Sequence, residues 1–297
     1  MAIRLGDNQY GKAEVRLVRV TRDTDRHTIR DLNVTSQLRG DFTAVHTTGD
    51  NTNCVATDTQ KNTVYGLARK HALGAIEEFA LLLARYHVDG FGFVHGARME
   101  IEEYPWDRIA TVDGAHDHSF VRGGGGTRTT LVVKDGPTET VLSGVTGLTV
   151  LKSTGSEFHG FPRTEFTTLA ETTDRILATD VTARWRYIGT DVDWDASHDS
   201  IRRIIVETFA VQHSLALQQT LWEIGRAVLE AHPEVAEIRF SCPNKHHFAV
   251  DLSAFDMDNP GEVFFAADRP YGKIETTVER DDAPSAGRVW ESVPGFI

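Results

Sequence analysis

Hydrophobic periodicity along this chain switches from two to 3.6 and back, and then does so again. Glu14 to Thr21 and His27 to Leu38 have the β-branched content of strands, and the polar turn Arg22-Asp23-Thr24-Asp25-Arg26 joins them into a predicted hairpin. Two helical stretches follow: Asp58 to Lys70, with Val64, Leu67 and Ala68 in register, and Ala75 to His87, with Ile76, Phe79, Leu82, Leu83 and Tyr86. Gly74 separates them. Strand character returns over Gly92 to Asp107 and Ser119 to Val133, the second broken by Gly123-Gly124-Gly125-Gly126, which reads as an irregular, mobile loop. The second half repeats the theme, with strands near Glu139 to Leu151 and Val181 to Trp194, helices between and after them, and a closing hairpin within Glu237 to Leu252. Its longest helical run starts from Ser214, read as an N-cap, and aligns Leu217, Leu221, Ile224 and Val228 until His232-Pro233 ends it. Strand pairs flanking helix pairs, twice over, predict two similar α+β modules around antiparallel sheets. The tail from Asp281 to Ile297 should wrap the surface.

The strand containing Ser241-Cys242-Pro243-Asn244-Lys245-His246-His247-Phe248 breaks its own pattern. Counted in twos from Ile238, its apolar face runs Ile, Phe, Cys, Asn, His, Phe, so Asn244 and His246 intrude among apolar neighbours while Lys245 and His247 point away. A buried polar group without a partner costs about 1–3 kcal/mol, so these two must meet internal partners or a ligand. Adjacent strand residues face opposite ways, which argues against a metal held by His246 and His247 together. Asp107, His116, Asp117 and His118 form a second His/Asp cluster, but the sequence around Gly114 reads as a solvated turn.

Other candidates have ordinary explanations beside functional ones. Thr57-x-x-Gln60 fits a capping box at a helix start, and the same helix start could present free backbone N–H groups to a small anion. Lys12 could be a solvated lysine ahead of the first strand, Arg175 could form a surface pair with Glu171, and Phe158 could plug a core beneath a Gly-containing loop. The bulk composition narrows the class. With 297 residues, 40% hydrophobic and 25% charged, the chain has globular composition, and a net charge of −12 opposes binding to nucleic acid or an anionic membrane. No apolar run approaches the roughly 18 residues of a spanning helix, and the N-terminus lacks a signal-peptide core. Cys54 and Cys242 suit small core positions in a reducing compartment.

Several blocks, taken in order, resemble the urate oxidase (uricase) family: Tyr10-Gly11-Lys12, Val55 to Thr63, Val150 to Phe161, Asp174 to Asp180, and Pro243-Asn244-Lys245-His246. The resemblance implies an α+β fold of tandem T-fold (tunnelling fold) domains, residues 1–137 and residues 138–297 with the tail, whose antiparallel sheets carry helices on one face. It further implies a homotetramer enclosing a β-barrel tunnel, active sites between subunits, and cofactor-free, metal-free oxidation of urate by O2 and water to 5-hydroxyisourate and hydrogen peroxide. Carried over from the family, Arg175 and Gln218 grip urate, Phe158 stacks on it, Leu169 lines the pocket and the main chain at Leu217 adds a contact. Thr57 and Asp58 are expected from the neighbouring subunit. Lys12, Thr57 and His246 match the proton relay, and Asn244 with Thr57 matches the O2 or water position. Family members often have Val where this chain has Leu217, a change of no consequence if the contact is backbone. A pterin-acting T-fold enzyme would share the architecture but usually uses a carboxylate anchor, and a non-catalytic purine-binding module would not need Lys12 and His246. The ending Pro294-Gly295-Phe296-Ile297 differs from a peroxisomal tripeptide, so a cytoplasmic location is expected.

Overall fold

A computed structural model describes residues 2–291, 293 and 296. Ten strands form in chain order: β1 (Tyr10–Thr21), β2 (Thr28–Gly40), β3 (Val94–Glu103), β4 (Trp106–Thr111), β5 (Gly114–Arg122), β6 (Thr127–Asp135), β7 (Thr138–Lys152), β8 (Leu177–Tyr187), β9 (Val235–Ala249) and β10 (Phe264–Glu279). The helices are a short α1 (Thr43–Thr47), then α2 (Thr57–Lys70), α3 (Ile76–Gly90), α4 (Trp194–Val211) and α5 (Leu217–Ala231). Eight strands make one sheet in the order β1-β2-β3-β6-β7-β8-β9-β10, antiparallel at every step, and β4 pairs with β5 as a separate ribbon. The expected boundary at residue 137 falls in the β6–β7 turn, and the sheet continues across it.

Strand alternation decides which face is covered. Val34 and Leu38 of β2, Met99 and Ile101 of β3, Trp185 and Tyr187 of β8, and Ile238 and Phe240 of β9 are all buried in one apolar cluster. Into the same cluster go Val64 and Leu67 of α2, Phe79 and Leu83 of α3, Ile201 and Ile205 of α4, and Leu221 and Ile224 of α5, so the helices share a face. A smaller cluster on Leu131, Val133 and Leu142 is closed by Val289 and Val293, so the tail covers apolar residues, as expected of a wrapping segment. Pro294, Gly295 and Ile297, on which the location reading rested, lie outside the described residues.

Several local expectations change. The segment from Glu237 to Leu252 is not a hairpin: β9 is one long strand whose partner is β10, and the bulge between Ala267 and Gly272 interrupts the period that would have revealed β10. The residues after Gly114 form β5 and not a turn, and His116 and His118 share a face there with ring centroids 4.5 Å apart. No helix lies between β7 and β8; β8 ends at Tyr187, and Asp193 caps α4, accepting from the Ala196 N–H at 3.2 Å. The N-cap of α5 is Ala216, while Ser214 is buried upstream of it. The glycine run links β5 to β6 irregularly but is tied at Gly123 N–H to Pro105 O (3.1 Å) and at Gly125 O to Arg202 Nη2 (3.1 Å). Cys242 is buried, whereas Cys54 is only half-buried.

Candidate active site

A cavity of about 870 Å³ opens where three parts of the second half meet: the connection from Ser153 to Ile176, the start of α5, and the β9–β10 pair. Phe158, Leu169, Arg175, Leu217, Gln218, Asn244 and His246 all line it. The volume lies within the usual span for small-ligand sites.

Each wall has a local cause. Phe158 is held by a bridge in which its N–H donates to Thr172 O (2.9 Å) and accepts the Thr172 N–H on its own carbonyl (3.0 Å). Its ring stacks on Phe161 at 5.0 Å. The backbone N–H of Arg175 donates to Ser156 O at 2.8 Å, which sets the guanidinium 5.1 Å from the centre of the Phe158 ring. Arg175 forms no surface pair with Glu171: the latter's carboxylate accepts the Gly160 N–H at 3.1 Å. Burial pushes the Arg175 guanidinium below its ordinary value, its Nε is buried without a hydrogen-bond partner, and no carboxylate pairs with it among the described residues. That is a fixed cation facing a cavity, and a planar fork suited to an anionic ring edge.

On the β9 side, burial runs Ile238, Phe240, Cys242 and then gives way to half-buried Asn244 and His246. Neither of these two side chains makes a hydrogen bond among the described residues, so both remain free to meet a ligand in the cavity. Burial first, then the Arg175 charge and the neighbouring His247, pushes His246 below the usual histidine range, which favours the neutral imidazole. Lys245 points away and pairs with Asp180 at 2.7 Å. His247 departs from the expectation: its Nδ1 lies 3.1 Å from Lys245 O, yet it also reaches the cavity wall. Phe264, Pro270 and Ile274 complete the wall and were not anticipated, because they belong to the unread β10.

Lys12, Thr57 and Asp58 are absent from this cavity. They gather at the other edge of the sheet, where β1 carries Lys12 and α2 begins at Thr57. Seven steps of about 4.8 Å make the path along the sheet from one edge to the other roughly 34 Å. The capping box does not form: Gln60 is buried, accepts from Ser36 Oγ (2.6 Å) and donates to Val55 O (3.2 Å). Thr57 is exposed, its hydroxyl unbonded among the described residues. Lys61, bonded to Asp58, holds that carboxyl below its usual range, with Asn62 and the nearby Lys12 adding to the effect.

Fold and site together define an α+β protein of tunnelling-fold architecture with a cavity lined by a guanidinium, an aromatic ring and two amides. A family model described as uricase matches residues 8–133 and 141–275. A uricase from Arthrobacter globiformis is 58% identical over 292 residues, covering 98% of this chain and 95% of the relative. One from Dictyostelium discoideum is 37% identical over 277 residues, covering 92% and 96%. The crystal structure of the Arthrobacter globiformis uricase superposes with a TM-score of 0.93 at 57% identity, covering 98% of this chain and 99% of that one. The chain belongs to the uricase family.

Proposed function

We propose that the protein oxidises urate with O2 and water to 5-hydroxyisourate and hydrogen peroxide, using no metal or organic cofactor. The observation that carries this reading is Arg175: a half-buried guanidinium whose buried Nε is unpaired and which has no carboxylate partner among the described residues, beside the Phe158 ring, in a cavity that also offers the Gln218 and Asn244 amides and a neutral His246. Arg175 and Gln218 grip one edge of the urate anion, Phe158 stacks on its face, and Leu169 and the main chain at Leu217 close the sides. The opposite end meets the Thr57 and Asp58 N–H groups at the start of α2, where unpaired donors and the helix dipole favour negative charge.

Because those groups and Lys12 lie at the far edge of the sheet, a second copy of the chain supplies them, in a homotetramer that encloses a tunnel and has its sites between subunits. The relay of Lys12, Thr57 and His246 removes a proton from bound urate monoanion. The more electron-rich dianion reduces O2 by single-electron steps, the resulting hydroperoxide loses peroxide, and water delivered between Asn244 and Thr57 completes the product. Protein treated exhaustively with chelator is expected to consume urate and O2 and release peroxide. Activity lost on chelation and restored by a metal would overturn the cofactor-free reading.

A further inference from the structure

Three elements must keep their spacing for the cavity to grip a ring: the Phe158 segment, the Arg175 backbone and the start of α5 that carries Leu217 and Gln218. They converge on Ser214, which is fully buried four residues before Gln218. Its N–H donates to Gly155 O (3.0 Å), its carbonyl accepts the Glu157 N–H (2.9 Å), and Ser156, on the other side of that bridge, accepts the Arg175 N–H (2.8 Å). The Ser214 hydroxyl accepts from Thr220 Oγ1 at 2.6 Å, which fixes it to the first turns of α5.

One side chain from outside this loop system holds the hub. Lys152, at the end of β7, donates from Nζ to Ser214 Oγ at 2.7 Å and to the carbonyl of Gln212, the C-cap of α4. The ammonium also sits 5.5 Å from the centre of the Phe209 ring. It therefore neutralises the negative end of α4 while pinning Ser214, and it pairs with no carboxylate among the described residues. Lys152 does not line the cavity.

We propose that Lys152 is a positioning residue for substrate binding: through Ser214 it sets the distance between the Phe158–Arg175 wall and Gln218. The inference rests on the clamp assigned to Arg175 and Gln218 under the proposed function. A misplacement of the order of 1 Å at such a wall costs up to about a hundredfold. Lys152→Met in the full-length protein is expected to raise the KM for urate between about tenfold and a hundredfold and to weaken a non-oxidisable xanthine analogue equally, with kcat at saturation unchanged. Lys152→Arg, which keeps a charged donor, should recover most of that loss, a rescue that lost stability alone would not show. Ser214→Ala removes only the hydroxyl and is expected to move KM in the same direction by less. It also serves as the test if Lys152→Met does not fold. Unchanged KM and analogue affinity in the folded variants, with only a lower melting temperature, would overturn the inference. Gln218→Ala run in parallel separates the two levels: if it weakens binding and the Lys152 and Ser214 variants do not, the positioning inference alone falls; if it leaves binding intact, the clamp falls and the inference with it.

Discussion

With the short α1 and the β4–β5 ribbon set aside, the two halves of the molecule share the order strand, strand, helix, helix, strand, strand, yet one connection differs sharply between them. In the first half β1 passes to β2 through a turn from Arg22 to His27; in the second, β7 reaches β8 only after the long connection from Ser153 to Ile176. That connection supplies Phe158, Leu169 and Arg175, which wall the cavity of the second half with an aromatic ring and a half-buried cation. The first half keeps a short turn at the matching place, and the residues that the proposed function assigns to it stand at its edge, Lys12 on β1 and Thr57 and Asp58 at the start of α2. Under the proposed function the two halves divide the labour unequally, the second supplying most of the grip together with His246 and the first supplying Lys12 and Thr57 of the relay, provided that copies of the chain meet edge to edge.

This division can be broken by experiment. Lys12→Met should lower turnover by about 10²- to 10⁴-fold, the usual contribution of a positioned acid or base, while a urate analogue still binds. An equal loss of binding would make Lys12 structural and erase the distinction between the halves. Arg175→Ala should do the reverse, costing analogue affinity first, because it removes a charge-assisted pair at the ring edge. Mixing the two inactive variants sharpens the comparison: assemblies containing both chains should regain part of the wild-type rate if each site draws on two copies, and none if a site lies within one copy.

The smallest effect is one that the halves share. Burial pushes His87 of α3 and His198 of α4 down to about 4, Arg128 adding to the effect at His198, and neither ring is fully hydrogen-bonded. Unfolded histidines take up protons near pH 6.5 and these folded ones only near 4, so stability present at neutral pH is lost as pH falls between those values. The loss amounts to roughly 3 kcal/mol for each histidine. His87→Leu should flatten the first-half share of that decline in thermal midpoint measured against pH, and an unchanged slope would rule His87 out as a source.

Much of the site was legible before any fold was known, and for a local reason. Alternation in β9 requires no distant information: burial at Ile238, Phe240 and Cys242 fixes the side on which Asn244 and His246 emerge. The family's blocks likewise marked Lys12, Thr57, Phe158 and Arg175 in the chain itself. Where local signals were ambiguous the reading failed. Gln60 suits a capping box and a buried amide equally well, and only the placement of Ser36 on β2 opposite the first turn of α2 selects the second. Ser214 suits an N-cap, but its contacts with Gly155, Glu157 and Lys152 come from segments far away in sequence. The strand β10 was hidden by its own bulge.

The sequence by itself determined the repeated α+β order, the side of β9 that carries polar groups, and the identity of the residues with chemistry to offer, since periodicity and motif are properties of neighbours along the chain. Only the tertiary structure decided that Phe158, Arg175, Gln218, Asn244 and His246 share one cavity while Lys12 and Thr57 stand at the opposite edge of the sheet, because strand order and long-range hydrogen bonds, not spacing along the chain, set which side chains meet.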